Sequence, residues 1–200
     1  MKIFSYQEET LTLFKLLKSH TPDRIFSDRI CQVVFDYRDF HIVATLNIFK
    51  AASQNKRDEV ILTEFKRIDS AFQSNEQDVL IFQNKAIARL WILRTILYFT
   101  DDAPFDSEAE ALEEPDPALA NLIRQSPSRY EEIVCHPKSW EAQTVNQEFA
   151  NLVEAGIILE IDSQLLVCFA THNGFNIVGD TMSKDEIERE IAPAYEIIET

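Results

Sequence analysis

Residues 139 to 161 read SWEAQTVNQEFANLVEAGIILEI, and the parsing of this stretch decides the fold. Val145, Phe149, Leu152 and Val153 recur at the spacing of one helical face, and Gly156 stands where a helix takes its left-handed stop. The spacing predicts a helix from Ser139 to Ala155. From Ile157 to Ile161 the run is short, apolar and β-branched, which reads as a strand. Strands Leu165 to Thr171 and Phe175 to Val178 follow, joined by Asn173-Gly174, a two-residue hairpin signal. Ser183 with Glu186 three residues on is a capping box for a last helix bearing Ile187 and Ile191, which Pro193 should kink or restart.

Upstream of Ser139, Asp116-Pro117 and Ser126-Pro127 each set a capping side chain before a proline at the first helical position, predicting two short helices. At the start of the chain, Ser5 and Glu8 form a capping box for a helix carrying Leu11, Phe14 and Leu17, ending near His20. The period then changes to two. Cys31, Val33 and Phe35 form one alternating set and Ile42, Ala44, Leu46 and Ile48 another, with a turn at Asp36 to Asp39 between them. Further strands are expected over Glu59 to Ile68, Val79 to Phe82 and Leu90 to Phe99. The expected fold is therefore α+β. Residues 1–100 hold an N-terminal helix and an antiparallel β-meander, and 101–116 form an acidic linker. Residues 117–200 hold a helical segment, a second small antiparallel sheet and a C-terminal helix, and this half could pack with the first as one domain.

A chain of 200 residues with 46% hydrophobic content can bury a core. Its apolar stretches are interrupted, as Arg94 interrupts Leu90 to Phe99, and fall short of the roughly 20 residues of a membrane span. The first 19 residues carry Glu8, Glu9, Lys15 and Lys18 and lack the apolar core of a secretory signal, while Cys31, Cys135 and Cys168 have no close spacing. A cytoplasmic chain with reduced thiols and no membrane association is expected.

Charge is the sharpest compositional feature. Residues 1–100 hold 14 Lys+Arg against 12 Asp+Glu, whereas residues 101–200 hold 5 against 22, so the net charge of −15 belongs to the second half. Such a field repels nucleic acid and anionic lipid and attracts basic protein surfaces; it also serves solubility alone. Trp91, Tyr98, Phe99, Phe105 and Trp140 flank the acidic segment and offer anchoring area for a partner. These features point to a non-enzymatic binding or regulatory protein of inhibitor, immunity or chaperone type, engaging a basic protein surface and needing no cofactor. Apolar strands with uncovered edges suit a homodimer.

Glycine excludes whole classes of chemistry. Gly156, Gly174 and Gly179 are the full set, so no Gly-rich phosphate cradle or dinucleotide turn can be built. The hairpin acids Asp36 and Asp39 precede a strand with Glu64 and Lys66 on one face. Over residues 28–67 this resembles the pattern of the PD-(D/E)xK nuclease family. The resemblance implies a Mg²⁺- or Mn²⁺-dependent nuclease or phosphodiesterase, with the carboxylates holding the cation and Lys66 facing the attacked phosphate. The sequence departs from the family after the Glu-x-Lys strand, where a helix should follow and Asp69 to Asp78 is short and polar. The same residues also read as an ion pair on a solvated sheet face. A second constellation, Cys135, His136, Cys168 and His172, reads as a metal site or a Cys-His nucleophile pair, or as buried thiols beside a turn histidine.

Overall fold

The computed structural model describes residues 1–27, 32–52, 59–76, 78–103, 129–140, 149–171 and 176–200. In chain order the elements are β1 (Lys2–Phe4), α1 (Glu8–Ser19), β2 (Arg24–Ser27), β3 (Gln32–Asp36), β4 (His41–Lys50), β5 (Glu59–Ile68), β6 (Val79–Gln83) and β7 (Ile87–Ala103). After these come β8 (Arg129–Cys135), β9 (Ala150–Ile161), β10 (Gln164–Thr171) and β11 (Asn176–Met182), then α2, an α-turn at Lys184–Glu186 running into a π-turn at Ile187–Ile191, and β12 (Glu196–Glu199).

β2 to β6 form an antiparallel five-stranded sheet in the order β5-β4-β3-β2-β6. The period-two pattern explains its inner face, where Val33, Phe35, Ile42 and Ala44 are fully buried. The other seven strands form a sheet built on the long ribbon of β7 and β9. Each ribbon strand is long enough to share its outer edge between two partners. β7 pairs with β12 over Trp91 to Arg94 and with β8 from Ile96 onward. β9 pairs with β10 over Gly156 to Ile161 and, in parallel, with β1 over Asn151 to Val153. The sheets face each other, and Phe14 and Leu17 of α1 join Ile25, Phe35 and Phe65 of one and Leu90, Ile92, Leu159 and Leu166 of the other in the main core. On the far side of the seven-stranded sheet, Leu93, Leu97, Ile158 and Val167 belong to a second cluster with Ile187, Ile191 and Tyr195.

The expected α+β layout is corrected by this architecture, which is mostly β, with α1 and α2 the two helical segments among the described residues. The error lies in the stretch expected to be a helix up to Ala155. Residues 150 to 155 are strand β9, and the segment after Ser126, from Arg129, is strand β8. β9 has neighbours on both edges and is covered on both faces: Ala150, Asn151, Val153, Ala155, Ile157 and Leu159 are all fully buried. A strand buried on both faces loses its polar alternation, and chance helical spacing then dominates the reading. Gly156 ends no helix. It sits inside β9, where a Cβ would come within 2.3 Å of the Cys168 carbonyl oxygen and 2.4 Å of Phe169 Cβ, so only glycine allows β9 and β10 to pair there. Ala155 is bulged out of the β7–β9 register beside it.

The helix ends separate two capping boxes. Ser183 and Glu186 form theirs reciprocally, whereas α1 starts at Glu8 with Gln7 at its cap position and no side-chain capping bond from Ser5. After Pro193 no helix restarts; the chain turns back and adds β12 to β7. Residues 101–103 of the expected linker close β7, and its remainder, 104–116, lies outside the described residues, as do Cys31, Phe105, Asp116, Ser126, His172 and the Asn173-Gly174 turn. No helix among the described residues is long and apolar enough to cross a membrane.

Candidate functional site

The far face of the seven-stranded sheet is incompletely covered by α2, and the gap is a cavity of about 420 Å³. Its floor is set by strand register. One row runs Met182, Leu165, Glu160, Arg89 across β11, β10, β9 and β7; the next runs through Ile158 and Trp91. Ile187 of α2 and Ile197 of β12 complete the apolar lining. Alternation dictates this surface: Leu90 and Ile92 point to the main core, so Trp91 must point out. The β9–β10 hairpin that limits the cavity turns at Asp162 and Ser163, both at positive φ (53° and 65°), the left-handed pair a two-residue hairpin requires.

Polar groups at the cavity are paired with one another. Arg89 Nε lies 3.5 Å from Glu160 Oε2, and Lys184 Nζ lies 3.9 Å from Glu188 Oε1. Beyond these pairs the rim is acidic. Residues 183–200, which form α2 and β12, carry Asp185, Glu186, Glu188, Glu190, Glu196 and Glu199 against Lys184 and Arg189; of these, Glu190 pairs with Arg189 at 2.7 Å, and Glu196 turns to the other face of the sheet, 3.8 Å from Arg94. Glu199 stands directly opposite Trp91 in the β12–β7 register. The Glu186 carboxyl is held below its ordinary value, first by the Ser183 backbone N–H and then by the Ser183 hydroxyl.

The residues of the nuclease-like pattern are distributed differently. Glu64 and Lys66 share a face of β5 as alternation requires and pair at 2.6 Å. Asp36 is buried and engaged by Arg24, whose Nε and Nη2 donate to Oδ2 at 3.0 and 2.6 Å. Asp39 is exposed in the β3–β4 turn. Register places Asp36 opposite His41, and His41 opposite Ile68. Glu64 is therefore about 13 Å along the strand direction and about 10 Å across it from Asp36. The second constellation is also dispersed. Cys135 belongs to a cluster with Ile96, Trp140 and Ala150, and Cys168 to the main core. Burial pushes the Cys168 thiol well above its usual range, which opposes the thiolate that metal binding or nucleophilic attack needs. His136 is in a turn, its Nδ1 accepting from the Lys138 N–H at 3.1 Å. Among the described residues, no three His, Cys, Asp or Glu side chains gather as a metal site would require.

Of the aromatics flanking the acidic segment, Trp91 lines the cavity and Trp140 is buried against Ile96. Nothing in the run Leu90-Trp91-Ile92-Leu93 distinguishes the outward residues from the inward ones, so the groove was beyond the reach of pattern reading. Comparison with protein-family models, with curated proteins and with solved structures finds no match for the chain.

Proposed function

We propose that this protein works by binding, and that the face formed by α2, β12 and the outer side of β7 and β9 engages a basic protein partner. The observation that carries the reading is the placement of the charge: Glu188 lines the apolar cavity at Trp91, and Asp185 of α2 and Glu199 of β12 lie beside it, in a segment 183–200 that holds six carboxylates against two cations. Carboxylates around an apolar centre raise the association rate of a cationic partner and select against anionic ones, while the centre supplies burial. An inhibitor, immunity or chaperone role fits this chemistry, and none of these needs a cofactor.

The test is affinity purification of the tagged chain from its native host at low and high salt, beside a variant carrying Asp185→Lys, Glu188→Lys and Glu199→Lys. A stoichiometric basic protein retained at low salt, released at high salt and absent from the variant supports the reading. Retention unchanged in the variant would overturn it.

A further inference from the structure

We infer that the Trp91 groove receives one aliphatic or aromatic side chain of that basic partner, presented with Lys or Arg on either side of it. This rests on the binding reading above and adds what the partner must look like. The groove has a layered chemistry. Its centre, Trp91, Ile158, Leu165 and Ile187, is apolar and can only be filled favourably by an apolar group. Around the centre, Arg89 and Lys184 lie 3.5 and 3.9 Å from Glu160 and Glu188, so the charged lining balances and offers an anion no excess of positive charge. Outside that ring the excess is carboxylate, with Glu199 opposite Trp91 and Asp185 at the start of α2.

An anionic or zwitterionic metabolite meets the wrong field, and a neutral small molecule leaves the rim unused. A segment with one apolar side chain between cationic neighbours satisfies both layers. The cavity, about 420 Å³, accommodates a leucine or a tryptophan side chain of such a segment, and its open side leaves the segment's backbone at the acidic rim.

The experiment titrates the full chain with two amidated pentapeptides, Lys-Lys-Leu-Lys-Lys and Lys-Lys-Ala-Lys-Lys, and with N-acetyl-leucinamide, following heat and tryptophan fluorescence at low and high salt. The leucine peptide should bind about tenfold tighter than the alanine peptide, the discrimination one buried aliphatic side chain supplies. Both peptides should weaken with salt. Trp91→Ala should abolish the preference for leucine. Because Trp91 also packs on the sheet, Ile197→Ser at a position 37% exposed is the second variant, and it should shrink the preference without touching the core.

Equal, salt-sensitive binding of the two peptides overturns the groove inference and leaves the acidic-face reading standing. Binding of neither peptide at low salt overturns both. N-acetyl-leucinamide binding as tightly as the leucine peptide overturns the inference in favour of a small-molecule pocket.

Discussion

Tyr6→Phe should make this protein more stable. The Tyr6 ring packs edge-on against Phe14 and Phe65, with centroids 5.1 and 5.8 Å away, and its hydroxyl is buried with no hydrogen-bond partner among the described residues. A buried hydroxyl left unpaired costs about 1–3 kcal/mol of lost hydration, and phenylalanine keeps both ring contacts while removing it. Allowing for the small void left by the oxygen, the variant should gain about 1 kcal/mol, or about 2–4 °C in Tm for a chain of this size. Urea unfolding followed by circular dichroism should show a higher midpoint with an unchanged slope.

The alkaline limb gives an independent signature of the same hydroxyl. Burial, then the charges of Cys168 and Glu154, raise the Tyr6 phenol well above its ordinary 10.0. The unfolded chain therefore releases this proton first. The stabilisation is intact below the unfolded value and is lost as pH rises from there toward the folded one. Tyr6→Phe removes that part of the loss, and the parts from Tyr37 and Cys168, both raised by burial, remain. A lower urea midpoint in the variant would show that the hydroxyl has a partner, and an alkaline limb as steep as in the parent that the phenol is not held above its ordinary value; either result refutes the reasoning.

Gly156→Ala should cost about 3 kcal/mol, because the new Cβ meets backbone of β10 that cannot rotate away; thermal unfolding reads it, and a loss within experimental error would exclude the close approach. Ser183→Ala should move the Glu186 carboxyl part of the way back up, the Ser183 backbone N–H still holding it, in an NMR titration. Since that carboxyl is lowered in the fold, its stabilisation is present above the ordinary value and lost as pH falls through the folded one, and the variant should lose less on acidification. Glu64→Ala should change stability by less than about 1 kcal/mol, because its pair with Lys66 is solvent-screened at 31% and 56% exposure.

The sequence was legible where one face of a strand meets solvent or where a turn has its own chemistry. β5 runs over Glu59–Ile68, the predicted span, and the exposure of Glu59 at one end and of Lys66, Arg67 and Ile68 at the other marks its ends. The Ser183 box is legible because capping is local: hydroxyl, carboxylate and backbone lie within four residues. β9 was opaque for the opposite reason. Its burial depends on β7, β10, β1 and both covering layers, all distant in sequence, and Val153 and Leu152 fit a helical face as well as they fit the two faces of a strand. The Glu64 and Lys66 pairing follows from alternation alone, whereas their separation from Asp36 depends on register, which strand patterns do not encode.

The same long-range geometry accounts for the cavity. Met182 ends β11 and Ser183 caps α2 in the next position, so the helix starts at the edge of the groove, which Met182, Ser183 and Lys184 line together with Arg89, Glu160 and Leu165. From there α2 carries Ile187 and Ile191, and the turn after it Tyr195, over Leu93, Leu97 and Val153, and of these only Ile187 reaches the groove. A longer connection before Ser183 would allow the helix to start over Trp91 and close the gap. Immediate capping instead leaves an outward tryptophan open beside the most acidic segment among the described residues. The groove and the acidic start of α2 therefore adjoin at Ser183, which is why the proposed ligand joins an apolar anchor to cationic neighbours.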